Sequence, residues 1–188
     1  MPPKVKITKS DIIEKSLDLL RSGGEVAINA RSIADALGCS TQPIFSNFAT
    51  MDELMHEVSA AAYAHYLQFL QNEDKTGKYP RYKAFGMAYI RFAREEKELF
   101  KLLFMCDRKK NEITSYEDFD ASVDMVMQYC SISRERAQLF HLELWSCVHG
   151  IASMLVTSFL DLEEELISNM ITDVFMGLKK RYAEEDRT

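Results

Sequence analysis

The segment from Asn29 to Leu54 constrains the fold more than any other part of the chain, because it predicts two short helices joined by a tight turn. The Asn29 side chain is suited to cap a helix, and the spacing of Ile33 and Leu37 places both on one helical face. Gly38 would end this helix, since glycine readily adopts positive φ. The spacing predicts a helix-turn-helix, whose second helix enters the major groove of DNA.

The second of these helices, predicted from Thr41 to Asn47, is amphipathic. Its Ile44, together with Phe48 just beyond it, is expected to point inward, which leaves Thr41, Gln42, Phe45 and Ser46 to face outward. Cations and polar groups near this helix would hold phosphates, while outward side chains would contact base edges. The predicted DNA-binding residues are Lys4, Lys6, Lys9, Arg31, Ser40, Thr41, Gln42, Pro43, Phe45, Ser46, Asn47 and Thr50.

The sequence GCSTQPIFSNFATMDEL, at residues 38–54, resembles the helix-turn-helix signature of the TetR family of bacterial transcriptional repressors. The matching positions are Gly38, Ser40, Ile44, Phe45, Phe48, Asp52, Glu53 and Leu54, and the resemblance extends back over the first helix. WSCVHG, at residues 145–150, is similar to a segment in the ligand domain of one subgroup. Phe45, Asn47 and Met51 replace a usual tyrosine, histidine and lysine, so other groups are expected to hold phosphates.

The resemblance implies an all-α protein of about nine helices. Residues 1–50 would form the helix-turn-helix domain, and residues 51–188 a helical domain for effector binding and dimerisation. The family also implies a homodimer on palindromic double-stranded DNA, because twofold symmetry presents two reading helices about 34 Å apart, as successive major grooves require. The helix at residues 51–72 would couple the two domains.

Composition and charge are compatible with this organisation. Hydrophobic residues make up 47% of the 188 residues, with only 7 glycines and 4 prolines, which favours a packed, mostly helical protein. The net charge of −6 opposes nucleic-acid binding, but residues 1–50 carry +1 and the first ten residues carry +3. The basic end therefore coincides with the predicted DNA-binding domain, although a solvated tail would show the same lysines.

The four cysteines, Cys39, Cys106, Cys130 and Cys147, lack C-x-x-C and zinc-finger spacings. We expect reduced thiols in a cytoplasmic protein, with no metal and no cofactor. The start of the chain lacks the pattern of a signal peptide, and the longest stretch without charged residues, 144–160, is short and polar for a membrane span. We therefore expect no membrane segment.

The last two predicted helices have wide apolar faces. One begins after Ser133 and runs to about Phe159, and the other begins between Asp161 and Glu164. In TetR-like proteins the last two helices of each subunit form a four-helix dimer interface; ordinary packing within one chain is the alternative. The predicted interface residues are Gly150, Ala152, Ser153, Leu166, Met170, Ile171, Val174, Phe175 and Leu178.

Methionine and aromatic residues are plentiful beyond residue 50 and suit an adaptable apolar pocket. The predicted lining is Tyr63, Tyr66, Phe85, Tyr89, Phe92, Phe104, Met105, Met125, Trp145 and His149, with core packing the alternative for each. His149 lies in an apolar helix, where an unpaired imidazole is unfavourable, so it needs a core acceptor, a cross-dimer contact or a ligand. We predict a small hydrophobic or amphipathic effector that releases the protein from DNA.

Three other classes of function remain as alternatives. A small helical enzyme is disfavoured, because the sequence has no paired carboxylates, Ser-His-Asp set, phosphate-binding loop or HExxH motif. A thiol-based redox-responsive regulator is the second alternative, since Arg108, Lys109 and Lys110 follow Cys106 and would favour its thiolate. A module that binds only other proteins is the third, and specific retention of DNA would exclude it.

Overall fold

The computed structural model describes residues 7–107 and 116–185. These residues form nine α-helices and no strand, which confirms the predicted all-α class. The helices are α1 (Lys9–Gly23), α2 (Ala30–Ala36), α3 (Gln42–Asn47), α4 (Met51–Asp74), α5 (Arg81–Glu95), α6 (Lys97–Phe104), α7 (Tyr116–Cys130), α8 (Arg134–Val156) and α9 (Glu164–Glu185), with a short 3-10 turn at Glu25–Ala27.

Local side-chain hydrogen bonds set several helix starts. At α1 the Asp11 amide donates to Thr8 Oγ1 at 3.2 Å, and the Thr8 amide donates to Asp11 Oδ2 at 2.8 Å, which completes a capping box. These bonds lower the pKa of Asp11, because they stabilise its carboxylate. At α8 the Ser133 hydroxyl accepts from the Arg136 amide. The predicted start of α8 after Ser133 is therefore confirmed.

Packing divides the described residues into two compact units. The first unit comprises residues 7–66 and 96–107, and the second comprises residues 67–95 and 116–185. This division differs from the predicted boundary after residue 50 for two reasons. The first 16 residues of α4 pack with the first unit, and α6 packs on α1 despite its later place in the sequence.

The first unit is organised around side chains from α1 to α4. Ile12, Leu20 and Ile33 are fully buried, as are Ile44 and Phe48 around α3. Gly24, at the end of α1, has a φ of 72°, and a Cβ there would lie 2.9 Å from Glu98 Oε2. The positive φ therefore favours glycine at this position, whereas the contact is with the end of a flexible side chain that can move.

The second unit is built around α8, which packs against α5, α7 and α9. One part of its core consists of Val123, Val126, Ile132, Ala137, Phe140, Leu144 and Tyr182. Helix α8 is long and apolar enough to cross a membrane by length and composition alone. In this structure α8 packs against three helices, and its apolar residues form the core of the second unit.

Candidate functional site

The turn between α2 and α3 has the geometry that the sequence predicts. Asn29 Oδ1 accepts hydrogen bonds from the amides of Arg31 and Ser32, at 3.1 and 3.0 Å, and so caps α2. Gly38 has a φ of 64°, and the Cys39 amide donates to the Ala34 carbonyl at 2.9 Å. This is a Schellman end, in which the backbone conformation favours glycine. No described atom lies within 4 Å of a Cβ at Gly38, so conformation alone imposes the requirement.

Helix α3 presents a polar face to solvent. Ile44 and Phe48 are buried beneath it, while Gln42, Ser46 and Phe45 are exposed, the last with 53% of its surface accessible. The other predicted residues around the turn are placed as follows: Ser40 is exposed, and Thr41 and Pro43 are half-buried. The buried and exposed faces of this helix are those expected of a groove-reading helix.

Two polar side chains of α3 are already engaged within the protein. Ser46 Oγ donates to the Gln42 carbonyl at 2.8 Å. Asn47 Nδ2 donates to the Pro43 carbonyl at 2.7 Å and lies 3.5 Å from the Ile7 carbonyl. The half-buried Asn47 amide therefore stabilises α3 from within, and its predicted DNA contact stays a prediction.

The predicted phosphate-binding cations and hydroxyls have different surroundings. Lys9 Nζ lies 3.3 Å from Glu53 Oε1 and 4.8 Å from the centroid of the Phe48 ring, so it is held against the unit. Thr50 Oγ1 accepts from the Glu53 amide at 3.1 Å and caps α4. Arg31 is exposed in the first turn of α2. Lys4 and Lys6 lie outside the described residues.

A three-residue hydrogen-bonded cluster joins α1, α4 and the start of α6 within the first unit. Arg21 binds both carboxylate oxygens of Glu96, at 2.9 and 3.2 Å, and His65 Nε2 lies 3.0 Å from Glu96 Oε1. Glu96 is mostly buried, with 18% of its side chain exposed. Sequence reasoning missed this cluster, because its members are 31 and 75 positions apart and share no motif.

The ten predicted ligand-binding residues fall into two sets. Tyr63, Tyr66, Phe104 and Met105 belong to the first unit, where Tyr66 meets Phe104 edge to face at 5.0 Å. The second unit holds Phe85, Tyr89, Phe92, Met125, Trp145 and His149. Most of the ten are buried or half-buried among neighbouring side chains, whereas Met105 is exposed.

Two tyrosine–histidine pairs connect α5 with α8. Tyr89 Oη lies 2.8 Å from His149 Nδ1, and Tyr82 Oη lies 2.8 Å from His141 Nδ1. The Trp145 ring stacks on His149, with centroids 4.9 Å apart. Tyr89 thus supplies a partner of the kind predicted for His149. Both partners advance along their helices together, so α5 and α8 run in the same direction.

Burial keeps these pairs neutral. It raises the pKa of Tyr82, lowers the pKa of His141 to about 4, and lowers the pKa of His149. Both rings are therefore uncharged near pH 7, and each pair is a hydrogen bond between neutral groups. His141 was not among the predicted residues, although it precedes His149 by eight positions, as Tyr82 precedes Tyr89 by seven.

A cavity of about 150 Å³ lies between α5 and the start of α9 in the second unit. Its lining is Met87, Ile90, Arg91, Arg94, Glu95, Glu164 and Ile167. None of the ten predicted ligand-binding residues contributes to it. The sequence signal that could have indicated it is the pair Arg91 and Arg94, three residues apart and therefore on one face of α5.

The predicted dimer-interface residues divide by exposure. Ala152 and Ile171 are 0% and 3% exposed in the core of the second unit, so their side chains are not available to a partner and this part of the prediction needs correction. Val174, Phe175 and Leu178 pack partly against the same core, and Ser153 and Met170 are half-buried. Leu166 is exposed, and a Cβ at Gly150 would meet no described atom within 4 Å.

Other exposed apolar residues on α8 and α9 were not predicted. Leu139 and Leu142 lie on the exposed face of α8, and Met176 on that of α9, 57% exposed. Sequence periodicity missed them because the final helices are apolar on more than one face, so the pattern alone does not separate the core from an outer face.

Metal and thiol chemistry have limited support in the described residues. Across residues 7–107 and 116–185, no three His, Cys, Asp or Glu side chains cluster as metal ligands. The four cysteines are free thiols, and Cys106 is half-buried. Its basic neighbours Arg108, Lys109 and Lys110 lie outside the described residues, so the redox alternative stays a prediction.

Residues 82–174 match the protein family described as "Tetracyclin repressor-like, C-terminal domain". This match covers α5 to α8 and the first half of α9, which includes both tyrosine–histidine pairs and the cavity. No curated protein sequence matches the chain.

Solved structures with the same fold include a protein described as a transcriptional regulator from Pseudomonas aeruginosa PAO1. It is 16% identical, with a TM-score of 0.70 over 93% of each chain. A TetR-family transcriptional regulator from Vibrio parahaemolyticus is 13% identical, with a TM-score of 0.61 over 90% of this chain and 97% of its own. The multidrug-binding protein EbrR, complexed with imidazole, is 14% identical, with a TM-score of 0.59 over 88% of this chain and 93% of its own.

Proposed function

Because the chain belongs to the TetR family of transcriptional regulators, we propose that it is a cytoplasmic repressor that binds a palindromic operator as a homodimer. Residues 1–50 would read DNA, and residues 51–188 would bind the effector and dimerise. The exposed polar face of α3, held by the buried Ile44 and Phe48, is the observation that carries this proposal. An enzymatic role has no such support.

Recognition would depend on Gln42 more than on any other side chain of α3. Gln42 is exposed, and its amide can both donate and accept, as bidentate contact with adenine requires. The exposed Phe45 would contact sugars or a thymine methyl group. Exposed Arg31 and, once released from Glu53, Lys9 would neutralise phosphates.

Dimerisation would bury the exposed apolar faces of α8 and α9. Leu139, Leu142, Leu166 and Met176 are the large exposed side chains on these two helices that argue for a partner. Open space at the Cβ positions of Gly150 and Gly177 would allow a second pair of helices to approach closely. Twofold symmetry then gives two reading helices, as a palindrome requires.

The aromatic residues of the second unit would bind the effector whose binding releases the protein from DNA. A hydrophobic or amphipathic molecule that displaces the packing around Trp145 and the Tyr89–His149 pair could use both polar groups as anchors. It would release DNA only by binding one orientation of α4 better than the other. The relative EbrR is a multidrug-binding protein, which accords with an adaptable pocket.

Selection of bound fragments from genomic DNA, followed by gel shift, tests the DNA-binding proposal. Alanine at both Thr41 and Gln42 should weaken binding of the selected palindrome by about tenfold or more, because one good base contact is worth that much. Gln128→Ala, at an exposed position on α7, is the matched control and should bind as the wild type does. Unchanged affinity in the double variant would remove α3 as the reading helix.

Sedimentation analysis tests the dimer. Leu142→Glu and Met176→Glu would each place a charge in the proposed interface and should yield folded monomers with weaker operator binding. Tyr129→Glu, at an exposed position on α7, should remain dimeric. A wild-type protein that is monomeric at micromolar concentration would contradict the proposal.

A further inference from the structure

The cavity between α5 and α9 combines an apolar floor with a guanidinium group, and we propose that it binds a small aromatic carboxylate. The site is separate from the predicted aromatic pocket, and its ligand need not be the molecule that controls DNA binding. The proposal therefore goes beyond the repressor function and can be tested without DNA.

The Arg94 side chain carries the argument. Its Nη2 donates to the Leu162 carbonyl and lies 3.4 Å from Asp161 Oδ1, while its Nε is buried with no hydrogen-bond acceptor among the described residues. A buried donor without an acceptor is unfavourable by more than a typical hydrogen bond gains. The Leu162 carbonyl fixes Nη2, and the guanidinium, which lines the cavity, keeps one donor without an acceptor.

Two glutamates in the lining and Asp161 beside Arg94 carry negative charge, but each is paired with a cation or exposed to solvent. Glu164 receives hydrogen bonds from Lys78 at 2.6 Å and from Tyr79 at 3.1 Å, and these bonds lower its pKa. Its charge is therefore already balanced by Lys78. Glu95 is exposed, so solvent screens its charge. Arg91 adds a second cation three residues before Arg94 and lies 5.7 Å from the centroid of the Phe69 ring.

The floor of the cavity sets the size and nature of the rest of the ligand. Met87, Ile90 and Ile167 are all nearly fully buried and present only apolar atoms and a thioether. A volume of about 150 Å³ is comparable to that of an apolar cavity that binds benzene in another protein. A benzene-sized ring on the apolar floor, with a carboxylate facing Arg94, satisfies both halves of the lining.

Benzoate and its neutral isostere benzamide provide the test, by isothermal titration calorimetry on the full-length protein. Benzoate should bind about tenfold or more tightly than benzamide, because a hydrogen bond to a charged group contributes at least that factor. Inorganic phosphate should bind more weakly than benzoate, since it gains nothing from the apolar floor. Equal affinity for benzoate and benzamide, or no binding of benzoate at millimolar concentration, would overturn the proposal.

Two variants locate the site. Arg94→Gln should weaken benzoate binding about tenfold or more while leaving benzamide binding unchanged. Arg81→Gln removes an exposed arginine from the same helix, outside the cavity, and should leave both affinities unchanged. A folded Arg94→Gln protein that binds benzoate as tightly as the wild type would overturn the assignment.

A measurement on the unaltered protein covers the case in which Arg94→Gln does not fold. With methyl-labelled methionine, benzoate should shift the NMR signal of Met87, which lines the cavity, and leave that of the exposed Met176 in place. A shift at Met176 without one at Met87 would place benzoate elsewhere and overturn the proposal.

Discussion

Polar side chains in the first unit mainly close helix ends and tie short helices together, whereas those in the second unit also pair across long helices. Asn29, Thr8 and Thr50 each cap a helix within three residues of themselves. Tyr82 and Tyr89, in contrast, meet histidines 59 and 60 positions away. The first unit is thus specified largely by local sequence, and the second by packing of distant segments.

Because of this difference, we expect different kinds of mutation to destabilise the two units. A short helix such as α3 has too few residues to be stable alone, so its caps and its few buried side chains determine whether it forms. The long helices of the second unit depend on filled volume and on satisfied buried polar groups. Four experiments test this distinction.

Removal of a large buried ring should have the greatest effect. Phe140→Ala, in the fully buried centre of the second unit, should lower the free energy of unfolding by about 3–5 kcal/mol, through lost burial and an unfilled cavity. Phe159→Ala is the control, because that ring is 76% exposed and its loss should matter little. Urea denaturation measures both. Equal effects would mean that filled volume does not dominate this unit.

Acid should destabilise the second unit through its buried histidines. Because burial holds the pKa of His141 at about 4, below its value in the unfolded chain, the unfolded state binds the proton first as the pH falls. Stability should decline from about pH 6.5 to about pH 4, by at most about 3 kcal/mol from this residue.

His141→Phe should flatten that pH dependence without abolishing it, since burial lowers the pKa of His149 as well. Denaturation measured at several pH values would test this. The same slope in the variant as in the wild type would refute the assignment to His141.

The Arg21–Glu96 pair tests whether the first unit also depends on distant contacts. A double-mutant cycle with Arg21→Gln and Glu96→Gln should give a coupling energy of about 1 kcal/mol, because Glu96 is mostly buried but Arg21 is exposed. Lys15 and Asp18, an exposed pair on α1, should couple more weakly. A larger coupling there would contradict the role of burial.

The smallest effect is expected where α8 ends. Ser158 has a φ of 56°, and the Phe159 amide donates to the Met154 carbonyl at 2.9 Å, so Ser158 occupies the position that glycine favours. Ser158→Gly should raise the melting temperature slightly, by a gain of about 0.5 kcal/mol. Ala121→Gly, within α7, should lower it. A loss of stability in Ser158→Gly would show that contacts of the serine side chain stabilise the fold by more than its positive φ destabilises it.

The sequence predicted those features that depend on neighbours in the chain. Asn29, Gly38 and the amphipathic α3 indicated the turn and its exposed face, because capping and periodicity act over a few residues. It did not predict that α6 packs with α1, or that Glu96 joins Arg21 and His65, because no local pattern encodes such contacts. It also placed Ala152 and Ile171 at the wrong surface, since apolar residues on two faces of a helix look alike in sequence.

The hydroxyl proton of Ser46 is directed to the Gln42 carbonyl, so the oxygen offers only lone pairs to anything outside the helix. In a major groove, the hydrogen-bond donors on base edges are the exocyclic amino groups of adenine and cytosine. A groove-facing Ser46 would therefore discriminate against the oxygen-rich edges of guanine and thymine, and one internal hydrogen bond would restrict which base can lie opposite.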